Sequence, residues 1–386
     1  DVEDYFQVHA LSHRIRYDDW DHIPSHVEKN TYKILDLLDS QQSAVSGQPQ
    51  PTQLTRSAAG GLDFLPFVRK GRKKKKSSKS GQSCLTAVSP KATFFILGWI
   101  AERYPGLVKE IHRRGHEIAS HGYAHKVIHN QTPAEFRKDI RSSKAILEEL
   151  TGDEIVGYRA PTYSITKKTL WALKILAEEG YKYDSSIFPV RHDYYGMPSA
   201  PRFPFIWNLN GDKPRIEQLD EPSKSSVPLP SRDSSTQLLR PRRIEIHHFH
   251  PESDEKKKSN QSCLSRRWEP SYWDKSCLTQ TVSSNQPVLF EFPMSTVRFL
   301  GRNLPCSGGG YFRFFPYPII RLGLERINRE GKPFIFYLHP WELDPHIPVV
   351  NNLSPLSRFR TYVNLDKTES RFKKLISQFK FSTIKS

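Results

Sequence analysis

The stretch "SHGYAH" (120–125) places His121 and His125 four positions apart. Two imidazoles at that spacing, joined by a carboxylate from elsewhere, form a facial ligand set for a divalent transition metal and leave positions open for water and substrate. The pair alone is equally compatible with two polar residues in a turn, so the chain must supply the remaining groups. Four other stretches offer them: "DVEDYF" with Asp1, Glu3 and Asp4; "GYRAPTYS" with Arg159; "YDSSIF" with Asp184, Ser185 and Ser186; and "FYLHPWE" with His339 and Glu342. Singly these read as a strand-end carboxylate, an ion-pair arginine and a core histidine. All five lie at the ends of predicted strands, and together they point to one metal-assisted site.

The elements that must position them follow from hydrophobic period. "SHVEKNTYKILDLLDS" (25–40) reads as a helix with Val27, Ile34, Leu35 and Leu38 on one face and a Ser25/Glu28 capping box. "KATFFILGW" (91–99) reads as a buried strand and "ERYPGLVKEIHRRG" (102–115) as a helix stopped by Gly115. "TPAEFRKDIRSSKAILEEL" (132–150) is a helix with Thr132 as N-cap, Pro133 in the first turn and Glu135 closing the box; Phe136, Ile140 and Leu147 share a face. Further strands are expected at "EIVGYRAP", "YKYDSSIF", "VLFEFPMSTVRFLG" and "PFIFYLH", with helices over 166–180 and near 318–330. Strands alternating with helices predict an α/β fold, a parallel sheet or barrel whose active-site loops sit at the strand C-termini.

Two stretches break the pattern. Residues 41–90 are rich in Ser, Gln, Pro and Gly and contain the lysine run Lys73–Lys76; 211–287 are polar and irregular. Both read as disordered-like insertions into a single domain formed by 1–40, 91–210 and 288–386, and "KKKKSSKSGQSCL" (73–85) resembles "KKKSNQSCL" (256–264). Formal net charge is +17, but residues 41–90 hold nine Lys/Arg against Asp63 alone, and 211–287 thirteen basic against eleven acidic residues. Ten of the seventeen charges thus lie in the insertions, and the global charge says little about the active surface. A nucleic-acid-binding role through "RKGRKKKK" is disfavoured, because no aromatics interleave the run to stack bases. His247, His248 and His250 in "IHHFH" have no partner carboxylate pattern and are assigned no site. Cys84, Cys263, Cys277 and Cys306 form no C-x-x-C pair, so neither a disulfide framework nor a zinc finger is indicated. No run is long enough for a membrane helix. No signal peptide opens the chain, which favours the cytoplasm, although the abrupt start without Met points to a missing N-terminus.

Taken together, "DVEDYFQV", "KATFFILGW", "GHEIASHGYAH", "GYRAPTYSIT", "YDSSIFP", "FPMSTVRFLGRNLP", "SGGGYFR" and "FYLHPWELDP" resemble the NodB-homology polysaccharide deacetylases, carbohydrate esterase family 4. Within that family they are most similar to the branch associated with bacterial exopolysaccharide and exosortase systems. The resemblance implies a distorted (β/α)7-type barrel and removal of acetyl from N-acetylated sugar residues of a polysaccharide, with release of acetate. It implies a divalent metal, zinc or alternatively cobalt, nickel or iron, on His121 and His125, with Gly122 where many members have Ser. Glu3 matches the third ligand with Asp4 as rival; alternation along a strand favours Glu3, since residues 1 and 3 project to one side. Asp1 matches the catalytic base, Arg159 the arginine that orients it, the backbone near Thr162 the oxyanion donor, and His339 the general acid. Asp184 resembles a carboxylate expected to pair with His339. Tyr163, Trp341 and Arg313, the last in the "SGGGYFR" loop, are expected to face substrate. The rival of related chemistry is hydrolysis of a small amide, as in allantoinase-like relatives of the fold.

Overall fold

The computed structural model describes residues 1–43, 89–211, 213–218 and 287–386. Most of the two irregular stretches, with the lysine run, the "IHHFH" histidines and Cys84, Cys263 and Cys277, fall on positions outside the described residues, but the second, expected to be irregular, opens with a strand at Arg215–Gln218; Cys306 is a buried free thiol. The strands in chain order are β1 (Thr93–Ile96), β2 (Glu117–Ser120), β3 (Gly157–Tyr158), β4 (Tyr183–Asp184), β5 (Phe205–Asn208), β6 (Arg215–Gln218), β7 (Val288–Glu291), β8 (Thr296–Phe299) and β9 (Arg302–Pro305). Among the described residues one sheet runs β1-β2-β3-β4-β7-β5-β6, and β8 and β9 form a separate hairpin. β1 through β4 and β7 pair in parallel, with β5 antiparallel on β7. These strands are short and apolar, as expected of strands covered on both faces.

The order extends past β1. Val2 bridges Ile96, and its N–H donates to the Phe95 carbonyl at 2.7 Å. On Val2's other side the Asp1 nitrogen donates to the Leu338 carbonyl at 3.0 Å, and Tyr337 bridges Gly308. "PFIFYLH" is therefore extended chain joined at single bridges, not a continuous strand. The parallel α/β arrangement is the one expected; among the described residues the pairing is an open arc.

The helices are α1 (Val27–Ser43), α2 (Gly98–Arg103), α3 (Pro105–Arg113), α4 (Pro133–Thr151), α5 (Trp171–Glu178), α6 (Gly309–Phe314), α7 (Tyr317–Arg329), α8 (Pro355–Tyr362) and α9 (Leu365–Gln378). α4 has the expected Thr132/Glu135 capping box and ends on Gly152 in the left-handed region, with Phe136, Ile140 and Leu147 buried. α1 buries Val27, Ile34, Leu35 and Leu38, but its start is held by Asp4, whose Oδ2 accepts from Ser25 Oγ and from the N–H groups of His26 and Val27. The helix expected over 102–115 is two helices broken at Tyr104, because Pro105 supplies no N–H and starts α3 at its first turn. "SGGGYFR" folds as α6 instead of an open loop. Among the described residues no helix is long and apolar enough to cross a membrane.

Candidate active site

Register decides which strand-end residues meet. Val2, Ile96, Ser120, Tyr158, Asp184 and Glu291 lie side by side across the sheet. Tyr158 of this row packs edge-on against Phe136 of α4 (5.9 Å), so the row faces the helices. The residues one step further along, Glu3, His121, Arg159 and Ser185, project to the opposite face by the two-residue period.

There they converge. Glu3 Oε2 lies 2.7 Å from His125 Nε2 and 3.9 Å from His121 Nε2, and the three residues form a cluster whose ligand atoms all lie within 4.8 Å. Glu3 Oε2 is buried without an aligned hydrogen-bond partner, as two ligand atoms aimed at a common point would leave it. His121 Nδ1 donates to the Arg159 carbonyl at 2.8 Å, which fixes the tautomer and leaves Nε2 with its lone pair toward the cluster. The donor set, two imidazoles and a carboxylate, fits a divalent cation. Burial works to raise the Glu3 pKa, but His125 and His339 outweigh it and hold the carboxyl well below the usual range. Burial, with His125 second, keeps His121 neutral by lowering its pKa well below the ordinary value. Asp4 has turned away to cap α1 and is absent from the cluster.

Asp1 stands beside the triad. Its Oδ1 accepts from Arg159 Nη1 at 2.6 Å, and its Oδ2 lies 3.7 Å from His339 Nε2. Arg159 is locked from behind: Nε and Nη2 donate to the Ser185 carbonyl and hydroxyl, both at 2.9 Å, and its guanidinium stacks 4.0 Å over Phe95. His339 Nε2 is 3.4 Å from Glu3 Oε1. Its other nitrogen pairs with Glu342 Oε2 at 3.2 Å.

Two expectations are corrected here. Asp184 does not pair with His339. It sits in the row facing the helices, hydrogen-bonded to Ser186 and Glu291. Burial raises its pKa to about 6, and burial together with the neighbouring Asp184 raises that of Glu291 well above the usual carboxylate range, so this pair favours a shared proton. Arg313 borders the cleft but does not turn its guanidinium into it. It is 2 % exposed, and its donors go to Glu342 Oε1 (2.8 Å) and to the carbonyls of Arg360, Thr361 and Val363. Thr162, Tyr163 and Trp341 do line the cleft over the triad, about 380 Å³ in volume. Thr162 and Tyr163 both have left-handed φ (55° and 52°), a strained turn of the kind that gathers at functional sites. Tyr163 Oη and Trp341 Nε1 are buried without hydrogen-bond partners, and Trp341 stacks on His339 at 5.7 Å.

Sequence reasoning assigned no role to Glu342, although the signal was present. His339-Pro-Trp-Glu342 has capping-box spacing with Pro at the first position, and Glu342 Oε2 also accepts the His339 N–H at 3.0 Å. Burial opposes the charge on Glu342, but Arg313 and then His339 hold its pKa down to about 2. Asp139 was also missed. From α4 it accepts the Tyr123 N–H at 2.9 Å and that of Ala124, bracing the loop between the two histidines.

The sequence family described as "Polysaccharide deacetylase" matches residues 75–183, which hold His121, His125 and Arg159. Over those residues the chain is similar to polysaccharide deacetylases. Residues 271–386, which hold His339 and Glu342, match a family described as a domain of unknown function, DUF3473. The fold thus draws Asp1, Glu3 and His339 to the histidine loop from outside the stretch that matches the deacetylase family. A peptidoglycan deacetylase-like protein of Gibberella zeae is 35% identical over 26% of this chain and 29% of its own length. A peptidoglycan-N-acetylglucosamine deacetylase of Bacillus cereus is 39% identical over 21% of this chain and 30% of its own. The chain therefore spans about 30% of the length of these relatives. A family 4 carbohydrate esterase structure from Streptomyces lividans is 25% identical, with a TM-score of 0.23 over 25% of this chain and 48% of that one.

Proposed function

We propose that this chain is a metal-dependent hydrolase that removes acetyl groups from N-acetylated sugar residues of a polysaccharide. The observation that carries the reading is the convergence of the Glu3–His121–His125 cluster, the Asp1–Arg159 pair and the His339–Glu342 pair in one cleft. The relatives named above as deacetylases support the substrate class.

Glu3, His121 and His125 would hold the ion, and zinc suits that donor set. A divalent ion held there would supply Lewis acidity to the acetamide carbonyl and to the attacking water. Asp1, oriented by its pairing with Arg159, takes the proton of that water at Oδ2. Thr162, in the strained turn that lines the cleft, would offer a backbone N–H to the developing oxyanion. His339 delivers a proton from Nε2 to the sugar nitrogen, so the amine leaves neutral and not as an amide anion. Glu342 holds the opposite ring nitrogen and so fixes the orientation of the ring. The deciding experiment measures metal content and acetate release from N-acetylated glycans for wild type and His121→Ala. The substitution and chelation should each abolish release; release that survives either one sinks the proposal.

A further inference from the structure

The hairpin of β8 and β9 is apolar where a hairpin is normally polar. Phe299 pairs with Arg302, so Leu300 and Gly301 make the turn between them, both at left-handed φ (46° and 76°). Two-residue turns of that hand favour Asn, Asp or Gly, and a leucine there strains the backbone. This leucine is also 85 % exposed, and Phe299 beside it is 56 % exposed. Neither turn geometry nor packing within the described residues accounts for two large apolar side chains at that tip. We propose that the tip docks on the surface of an anionic lipid bilayer, with Phe299 and Leu300 entering the interface and Arg298 and Arg302 meeting the headgroup phosphates.

The base of the hairpin is anchored. Arg202 donates from Nε and Nη2 to the Thr296 carbonyl (3.1 and 2.7 Å), and Asn303 donates to the Pro189 carbonyl at 2.8 Å. The apolar surface continues from the tip toward α7. Val297 Cγ1 lies 3.8 Å from where a Cβ on Gly323 would stand, so the hairpin face that carries Val297, Phe299 and Leu304 is turned to that helix. Ile319 shares a stripe of α7 with Gly323, one turn earlier, and Leu322 lies beside it; Leu304, Ile319 and Leu322 are all exposed. Contiguous exposed apolar surface of this kind marks a site of interaction.

Charge identifies the partner. No Asp or Glu occurs between Glu291 and Glu325. Among the described residues the Arg298 and Arg302 side chains make no hydrogen bond or ion pair. The carboxylates that follow on α7 are already taken, Glu325 by Arg321 (3.2 Å) and Glu330 by Arg202 (3.3 Å) and Arg326 (3.7 Å). Two free guanidiniums on long stems beside an apolar tip suit an interface in which the stems reach apolar depth and the charges stay among phosphates. A second copy of the chain docking through the same surface would set these arginines against each other, which disfavours self-association.

The test uses the full chain with vesicles of phosphatidylcholine alone and of phosphatidylcholine and phosphatidylglycerol in equal parts, read by co-sedimentation, with thermal melts of the free protein. Wild type should bind the mixed vesicles at least about tenfold more tightly, and added salt should weaken that binding. Leu300→Asn should lower affinity for the mixed vesicles at least about tenfold without lowering the melting temperature, because asparagine suits the left-handed turn. Arg298→Gln/Arg302→Gln should lose most of the preference for the anionic lipid. Wild type that ignores both vesicles overturns the proposal. So does binding that survives Leu300→Asn, as attachment through the lysine run Lys73–Lys76 would. An anionic preference untouched by the double arginine variant overturns the role given to the two arginines. If wild type binds no vesicle but self-associates in sedimentation velocity, and Leu300→Asn is a monomer, the tip belongs to a second copy and the bilayer is ruled out.

Discussion

Glu342 is the residue whose role the geometry defines most sharply, and Glu342→Gln is the perturbation that tests it. The carboxylate is fully buried between Arg313 Nε at 2.8 Å and the His339 ring at 3.2 Å. A hydrogen bond to a charged group contributes roughly 1.5–3 kcal/mol. At about 1.4 kcal/mol per tenfold in rate, losing the anion behind His339 should lower kcat about 10- to 100-fold. KM should hold, because Glu342 acts through the histidine and substrate binding does not depend on it. Stability should also fall, since removing one partner of a buried ion pair costs about 3–5 kcal/mol. Arg313 keeps its three carbonyl acceptors, which places the loss near the lower end. The double variant Arg313→Met/Glu342→Gln separates the two effects. With neither charge buried, thermal stability should largely return while kcat stays low. Steady-state acetate release and thermal melts read both quantities. If kcat recovers along with the melting temperature, Glu342 is a scaffold partner of Arg313 alone and the proton-positioning argument is refuted.

Further outcomes follow from the same contacts. Arg159→Lys removes a guanidinium that serves Asp1 and Ser185 at once, and a single ammonium cannot span both; acetate release should drop about a hundredfold, with a much smaller loss of metal measured by elemental analysis. Gly122→Ser should destabilise by about 1–3 kcal/mol in denaturant titrations, because Gly122 has φ +75° and an added Cβ would meet Asp139 Oδ2 at 2.7 Å. Asp184 and Glu291 have folded pKa values raised above their unfolded ones, so the stability they contribute is present below about pH 4 and is lost as pH rises through about 6 and beyond. Asp184→Asn should therefore raise the melting temperature at pH 8 relative to wild type, by up to about 3 kcal/mol in stability, and not at pH 4; equal shifts at both would contradict the shared-proton assignment.

Much of the site was legible because it obeys local rules. Alternation along the first strand separates Glu3 from Asp4 in the sequence alone, and the structure adds the reason Asp4 is buried: its acceptors are used by Ser25, His26 and Val27 at the start of α1. No short-range pattern announces a cap supplied from more than twenty residues upstream. The α4 helix was readable to its caps, whereas the break at Tyr104 turned on a proline whose effect the apolar period masked. Arg313 was misread for a similar reason. An arginine after three glycines looks like one displayed on a loop, and only the burial of Glu342 and the carbonyls near α8 shows where its charge goes.

Asp184 shows where sequence reasoning stops even when its rules are right. "YDSSIF" ends a strand like the other motifs, and position at a strand end was taken as sufficient for membership in the site. A strand end has two faces, however, and membership depends on parity across four neighbouring strands. Asp184 shares its row with Val2 and Tyr158, while Glu3, His121 and Arg159 lie one residue on. That single step decides between facing the cleft and facing the helices. It also fixes the surroundings: on the cleft side Asp1 pairs with Arg159, and on the helix side burial pushes the Asp184 carboxyl up and, with Asp184 beside it, that of Glu291. The neighbour that continues the active row after Arg159 is Ser185. Its carbonyl and hydroxyl hold the arginine in place, so the motif does serve the site, one residue from where its carboxylate pointed.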